Sequence, residues 1–278
     1  MVLEMDISLE ERQVKIMMNE IIMELNNRGY KAESTTVVKN GVEKVGVIIG
    51  EGTIRPTIYP NLNLTVNECI REIINTYENV PKMNININEV TNWEYVKNNL
   101  QLCLQRKTNE DILKRDYLDM EMYIRVKVTK DSTYKVKPGM FKEVSEDEIF
   151  ARALLNAKEN VLVEDMAKML ANMMGCDISE LPDMGETKMI VVTNKEKVNG
   201  AVAICDKELL SNIAREYNSN LVILPSSIHE CIIHVDNEPD MEMYSNMVRE
   251  VNETQVEPEE VLSNHAYFFN KETCEISW

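Results

Sequence analysis

The chain is short of glycine, histidine and the larger aromatic side chains. It has nine glycines in 278 residues, three histidines, four phenylalanines and two tryptophans. The glycines are scattered. No G-x-x-x-x-G-K-[ST] and no G-x-G-x-x-G occurs, so the common backbone cradles for nucleotide phosphates are missing. His229 and His234 are spaced i, i+5 rather than i, i+4. They therefore cannot share a helix face, and on a strand they point to opposite sides. His265 is distant in sequence, so no metal site and no cofactor are expected. The six cysteines (Cys69, Cys103, Cys176, Cys205, Cys231, Cys274) form no C-x-x-C pair and predict reduced core thiols rather than a disulfide framework. No apolar run approaches the roughly 20 residues that span a bilayer. The N-terminus, Met1-Val-Leu-Glu-Met-Asp, carries acids where a signal peptide carries bases. These absences predict an intracellular, cytoplasmic protein.

Positive charge is also in deficit. Thirty Lys and Arg face 47 Asp and Glu, a net charge of −17. A duplex binder needs a basic face, and an anionic membrane surface would repel this chain, so neither direct nucleic-acid binding nor membrane binding is expected.

What is present is ordinary globular material, 44% hydrophobic and 28% charged. The length allows one or two domains of roughly 150 residues each. Residues 1–140 sum to −1 and residues 141–278 to −16. This asymmetry predicts an N-terminal α+β part at 1–112 and an acidic C-terminal α+β part at 113–278, with a junction near Thr108–Asp111, the alternative being one continuous unit.

Four S/T-x-x-E boxes predict helix starts: Ser8 with Glu11, Thr65 with Glu68, Thr91 with Glu94, and Ser145 with Glu148. Val14, Met17, Met18, Ile21, Ile22 and Leu25 then recur at helical spacing, and Gly29 supplies a stop. Val163, Met166, Ala167, Leu170 and Met174, ended by Gly175, predict another helix. Asn40-Gly41 between apolar runs predicts a hairpin. Leu118–Thr129 alternates as one strand, apolar on one side and wet on the other, with a turn at Lys130–Thr133 leading into Tyr134. Further on, Met189–Thr193 is expected to pair with Ala201–Cys205 across Asn199-Gly200, followed by a helix at about Asp206–Tyr217. Leu221–Leu224 is expected to pair with Ile228–Val235, followed by a helix at about Asp240–Val251. This ββα-ββα rhythm predicts an α+β fold of mainly antiparallel sheets, built from hairpins with helices packed on them. The 18 methionines, Met17, Met18, Met166 and Met169 among them, are expected mainly in the core.

Five segments carry a resemblance. They are Arg55-Pro-Thr-Ile-Tyr, Tyr117-Leu-Asp-Met, Ile223-Leu-Pro-Ser-Ser-Ile-His-Glu, Met247-Val-Arg-Glu-Val-Asn and Val256-Glu-Pro-Glu-Glu-Val-Leu-Ser. In this order they resemble an uncharacterised family of bacterial proteins, mostly from anaerobic Firmicutes, defined only as a domain of unknown function. The resemblance implies a cytoplasmic bacterial protein and carries over no catalytic residue. Cys231 stands where the family pattern leads one to expect an aliphatic residue, so a mechanism built on that thiol would not be a family mechanism.

Two clusters could carry function. Ser226, Ser227, His229 and Glu230, with Cys231 beside them, hold a hydroxyl or thiol, a base and an acid, the ingredients of a hydrolase. There is no G-x-S-x-G elbow, and Pro225-Ser226-Ser227 is also an ordinary turn sequence. The second cluster is acidic: Asp236, Glu238, Asp240, Glu242, Glu250, Glu253 and Glu257, continuing into Glu259 and Glu260. With Arg249 as the one base, residues 236–260 sum to −8. Three functions follow: a non-catalytic interaction or accessory protein, a hydrolase-like enzyme centred on Pro225–Glu230, and an acidic decoy of nucleic acid that binds a basic protein. The first is preferred, because no complete catalytic constellation is present.

Overall fold

The computed structural model describes residues 9–51, 55–79, 87–129, 132–181 and 188–278. The expected box at Ser8–Glu11 lies outside the described side chains; of the expected turn at Lys130–Thr133, Lys130 and Asp131 lie outside the described residues, and the Val128 and Thr129 N–H groups donate to the Ser132 carbonyl. The chain divides into two compact units, Met1–Ile87 and Asn88–Trp278. The expected junction at 112/113 falls inside the second unit, where strand 100–106 pairs with strand 120–127 across it.

The first unit begins with helix α1 (Leu9–Asn27). Gly29 follows it at φ +90°, a conformation that favours glycine over residues bearing a Cβ. Strands β1 (Ala32–Lys39) and β2 (Val42–Ile49) form the expected hairpin, with Asn40 and Gly41 both at positive φ as a type I′ turn requires. A short β3 (Thr57–Ile58) pairs with β2. Helix α2 (Val66–Asn79) starts at the Thr65–Glu68 box, where the Thr65 backbone N–H donates to the Glu68 carboxylate and the Glu68 N–H donates to the Thr65 hydroxyl. Met18, Ile21 and Leu25 of α1 are buried with Val47 and Ile49 of β2 and Cys69, Ile70 and Ile73 of α2.

The second unit opens with α3 (Ile87–Val90) and α4 (Trp93–Asn99). Asn92, not Thr91, caps α4, because its side-chain oxygen accepts from the Glu94 N–H. Strand β4 (Leu100–Arg106) pairs antiparallel with β6 (Met120–Lys127), and the other edge of β6 pairs with β5 (Lys114–Tyr117) and then β7 (Thr133–Lys135). The strand expected from Leu118 starts at Met120 instead. Leu118 has φ +56° and makes the turn between β5 and β6 with Asp119. One face of β6 is apolar as expected, with Met120, Ile124 and Val126 in the core. The other face is not simply wet: Glu121 and Tyr123 are buried as well.

Helix α5 (Glu146–Glu159) is capped by Ser145, as its box predicts. Val163 lies in a strand, β8 (Val161–Asp165), and helix α6 (Met166–Met174) begins only after it, capped by Asp165 and ended by Gly175 in the left-handed region. A six-stranded antiparallel sheet follows in the order β13-β12-β10-β11-β9-β8. Its remaining strands are β9 (Met189–Asn194), β10 (Leu221–Pro225), β11 (Cys231–Val235), β12 (Tyr267–Asn270) and β13 (Glu275–Ser277). The expected strand at Ala201–Cys205 is a 3-10 helix, Gly200–Cys205, and β9 pairs with β11 instead. Gly200 to Ile204 are all buried. A short run that is apolar on every side has no period by which a strand can be told from a helix. Helices α7 (Lys207–Glu216) and α8 (Met241–Gln255) fall where expected.

The six-stranded sheet is buried on both faces. Leu221, Ile223, Cys231 and Ile233 point into the main core. Val222 and Leu224 point the other way, against Tyr244 and Val248 of α8. The expected α+β architecture of antiparallel sheets with packed helices is the one found.

Candidate functional site

Ser226, Ser227, His229 and Glu230 lie in the five-residue loop between β10 and β11. Pro225 ends β10, facing Cys231 across the ladder. The return strand expected from Ile228 begins at Cys231 instead, so His229 sits in the loop before it. The loop is drawn inward by backbone and side-chain bonds. The Ser227 hydroxyl accepts from the His229 N–H at 3.0 Å, and the Ser227 N–H donates to the Glu230 carbonyl at 3.3 Å. The Thr193 hydroxyl donates to the His229 carbonyl at 2.8 Å, and the Ala201 N–H donates to the Ile228 carbonyl at 3.3 Å.

Both ring nitrogens of His229 have partners. Nδ1 accepts from the Asn199 backbone N–H at 3.1 Å, which places the ring proton on Nε2. Nε2 faces the Glu260 carboxylate at 3.3 Å. A general base must have a free lone pair within reach of the nucleophile's proton. Here that lone pair is occupied by a backbone amide. Gly200 fits this junction because it has no side chain: a Cβ there would lie 2.2 Å from Thr193 Oγ1 and 2.7 Å from the His229 carbonyl oxygen. Cys231 is fully buried, and that burial pushes its thiol well above the ordinary range, away from a reactive thiolate.

The acidic residues separate into two groups. Asp236 Oδ1 accepts from the Glu238 N–H, and Asp240 Oδ1 accepts from the Met243 N–H, capping α8. Asp236 Oδ2 also accepts from the Tyr244 hydroxyl, which lies 2.9 Å from His234 Nδ1. Burial and the Asp236 carboxylate lift the Tyr244 hydroxyl to about 12. Burial holds His234 below its usual range, with Asp236 opposing. Glu238, Glu242, Glu250, Glu253 and Glu257 are exposed, and all but Glu238 lie on α8 or just after it. On the same helix Met243, Met247 and Val251 are exposed by 49%, 46% and 40%. The methionines are thus not all core: Met18 is buried, whereas Met173 and Met174 of α6 and these two of α8 face outward.

Three polar centres carry no motif in the sequence. Glu121 is buried and accepts from Gln105 at 2.7 Å, Thr108 at 2.8 Å and Lys114 at 3.1 Å. Burial would raise its carboxyl and is the largest single influence, but the combined hydrogen bonds outweigh it and the net shift is downward. Asp119, in the β5–β6 turn, accepts from the Tyr267 hydroxyl at 2.5 Å and from the Ser263 hydroxyl at 2.8 Å, beside an open cavity of about 260 Å³ that His265 also lines. Arg125 of β6 reaches a smaller cleft of about 60 Å³ between β4, β9 and the 3-10 helix. Each centre joins residues from separate strands or loops, so no local spacing reveals it. A charged residue on a strand otherwise alternating with apolar ones, as at Glu121 and Arg125, was the only available hint.

All six cysteines are free. Among the described residues no group of three His, Cys, Asp or Glu is placed to hold a metal ion, and no helix is long and apolar enough to cross a membrane. No curated protein and no solved structure matches the chain. The family of unknown function DUF5688 matches residues 11–271, nearly the whole length, in line with the resemblance carried by the sequence segments. The chain belongs to that family.

Proposed function

We propose that the protein is a non-catalytic interaction module of the cytoplasm, and that the outer face of α8 docks a basic protein segment. One observation carries this reading: Met243, Met247 and Val251 stand exposed at i, i+4 and i+8, one continuous apolar row along the flank of a helix whose adjoining face, Tyr244 and Val248, is packed against the sheet. Three separate surface apolar residues would be unremarkable; a row at helical spacing is the pattern of an anchor strip. Two of the three are methionines, whose flexible thioethers adapt to a partner's shape.

Charge supplies the complement. Glu250 lies beside the apolar row, three residues after Met247, and Glu242 and Glu253 are exposed farther round the same helix. The one base of the stretch, Arg249, turns its guanidinium to Asn246. A partner fitting this face carries apolar anchors ringed by Lys or Arg, as a basic amphipathic helix does. The six free thiols suit a reducing compartment. The decoy reading asks for carboxylates spread like phosphates over one face, and Asp236 and Asp240 are instead committed to a turn and a cap. The hydrolase reading gains nothing from a histidine whose lone pair is taken by Asn199.

The test is a fluorescence-anisotropy titration with a labelled basic amphipathic helical peptide. Wild type is expected to bind saturably, more weakly as salt rises. Replacing both Met243 and Met247 by Gln should weaken binding roughly tenfold or more. Equal binding by wild type and this variant, or no binding by wild type, contradicts the proposal.

A further inference from the structure

The Arg125 cleft is independent of the α8 face and of any partner docked there. Arg125 sits on the face of β6 that also carries Glu121 and Tyr123, and its head group lines the cleft of about 60 Å³. Its partners are neutral amides. Nε donates to Gln101 Oε1 at 2.8 Å. With the Asn199 amide oriented to satisfy its neighbours, its oxygen accepts from both terminal nitrogens of Arg125, each at 3.1 Å. A guanidinium has five N–H donors, and these contacts use one on each nitrogen, leaving one on each terminal nitrogen.

The neighbouring cations are matched by acids. Lys127 pairs with Glu196, Lys114 with Glu121 and Lys135 with Glu110. Arg125, half-buried, has no carboxylate within ion-pair reach among the described residues. A charge withdrawn from water is normally paired, so a rigidly braced, unpaired guanidinium at the wall of a cavity is arranged to receive a counter-charge. The rest of the wall is compatible: Asn156, Asn160, Thr193 and Asn194 are neutral, and Glu196, the one acid among its described residues, is engaged by Lys127. By the measure in which a water needs about 10–15 Å³, the cleft holds roughly four waters, the scale of one small oxyanion.

We infer that the Arg125 cleft binds a small oxyanion, the carboxylate or phosphate group of a small molecule. Gln101 and Asn199 hold the guanidinium plane, and its remaining N–H groups meet the anion through charge-assisted hydrogen bonds. Asn199 also donates its backbone N–H to His229 Nδ1, so the His229 loop and the Arg125 cleft share a residue.

The test is an amide NMR titration at constant ionic strength with two probes, inorganic phosphate and succinate. Saturable shifts are expected at Thr193, Asn199 and Gly200 with at least one probe, and the responding probe identifies the kind of oxyanion. Arg125→Gln should weaken binding roughly tenfold or more. Glu196→Gln, which removes the one acid among the described residues of the wall, should tighten it. If Arg125→Gln does not fold, Glu196→Gln decides: tighter binding supports the site, and unchanged or weaker binding overturns it. Absence of a saturable response to either probe, shifts confined to other regions, or an unaltered response in folded Arg125→Gln would also overturn it.

Discussion

Two neighbouring regions of the second unit differ in where their side chains spend their interactions. The His229 loop has the densest set of reactive groups in the sequence, and its polar atoms turn inward: Ser227 to the His229 N–H, the imidazole to Asn199 and Glu260, and the His229 carbonyl to Thr193. The outer face of α8 has no reactive group, yet Met243, Met247 and Val251 are left in water with carboxylates beside them. Density of polar residues marks a fastening in the first case. Apolar surface left uncovered is what the proposed docking rests on in the second. A hydrogen bond already made within the fold is unavailable for catalysis, whereas exposed apolar area is free energy that only a partner can release.

The largest expected effect breaks the first region. Gly200→Ala places a Cβ 2.5 Å from the Asn194 backbone nitrogen and 2.7 Å from the His229 carbonyl oxygen. Backbone atoms cannot swing aside as a flexible side chain can, so this overpacking should cost about 3 kcal/mol or more, read from urea unfolding. His229→Ala comes next. It leaves the Asn199 N–H and the Glu260 carboxylate without the ring, and should cost about 1–2 kcal/mol in the same assay because the site is partly wet. An unchanged midpoint would mean that the ring is held for some purpose other than stability.

The α8 variants should do the opposite. Gln and Met have similar helix propensity and both methionines are exposed, so replacing Met243 and Met247 by Gln should shift stability by no more than about 0.5 kcal/mol while weakening peptide binding. A large loss of stability would show that this face already packs against something in the fold.

The smallest effect concerns how α8 is seated. His234 has its pKa lowered in the folded chain, chiefly by burial. The unfolded chain then takes up the proton first as pH falls through about 6.5, so the contribution of neutral His234 is complete above that pH and is lost below it. His234→Gln should flatten the decline of stability between about pH 6.5 and 5 relative to wild type. Identical slopes would show that the His234–Tyr244 contact carries no proton linkage.

The fold was legible wherever local chemistry decides the local shape. Asn40-Gly41 specifies its hairpin through positive φ, and Thr65–Glu68 and Ser145–Glu148 specify helix starts through capping bonds. It was illegible where burial is two-sided. Ala201–Cys205 is apolar on all sides and Val163 belongs equally well to a strand or to the helical pattern beyond it, so their conformations were set by tertiary packing. Leu118 was read into a strand, although it turns the chain with positive φ, unusual for a leucine. The site followed the same division. The loop residues and acids were found by composition, but what they touch was not, because Asn199, Thr193 and Glu260 come from distant segments. Arg125 and its amide braces join three elements and leave no motif in any one of them.

The most direct measurement uses the methionines themselves. Protein labelled with 13C at the methionine methyl groups is titrated with the basic amphipathic peptide, and methyl shifts are followed by residue. The account predicts that Met243 and Met247 shift saturably, while buried Met18 and Met120 and exposed Met173 and Met174 hold their positions. Unmoved Met243 and Met247, or equal shifts at Met173 and Met174, would contradict the claim that α8 presents the protein's working surface.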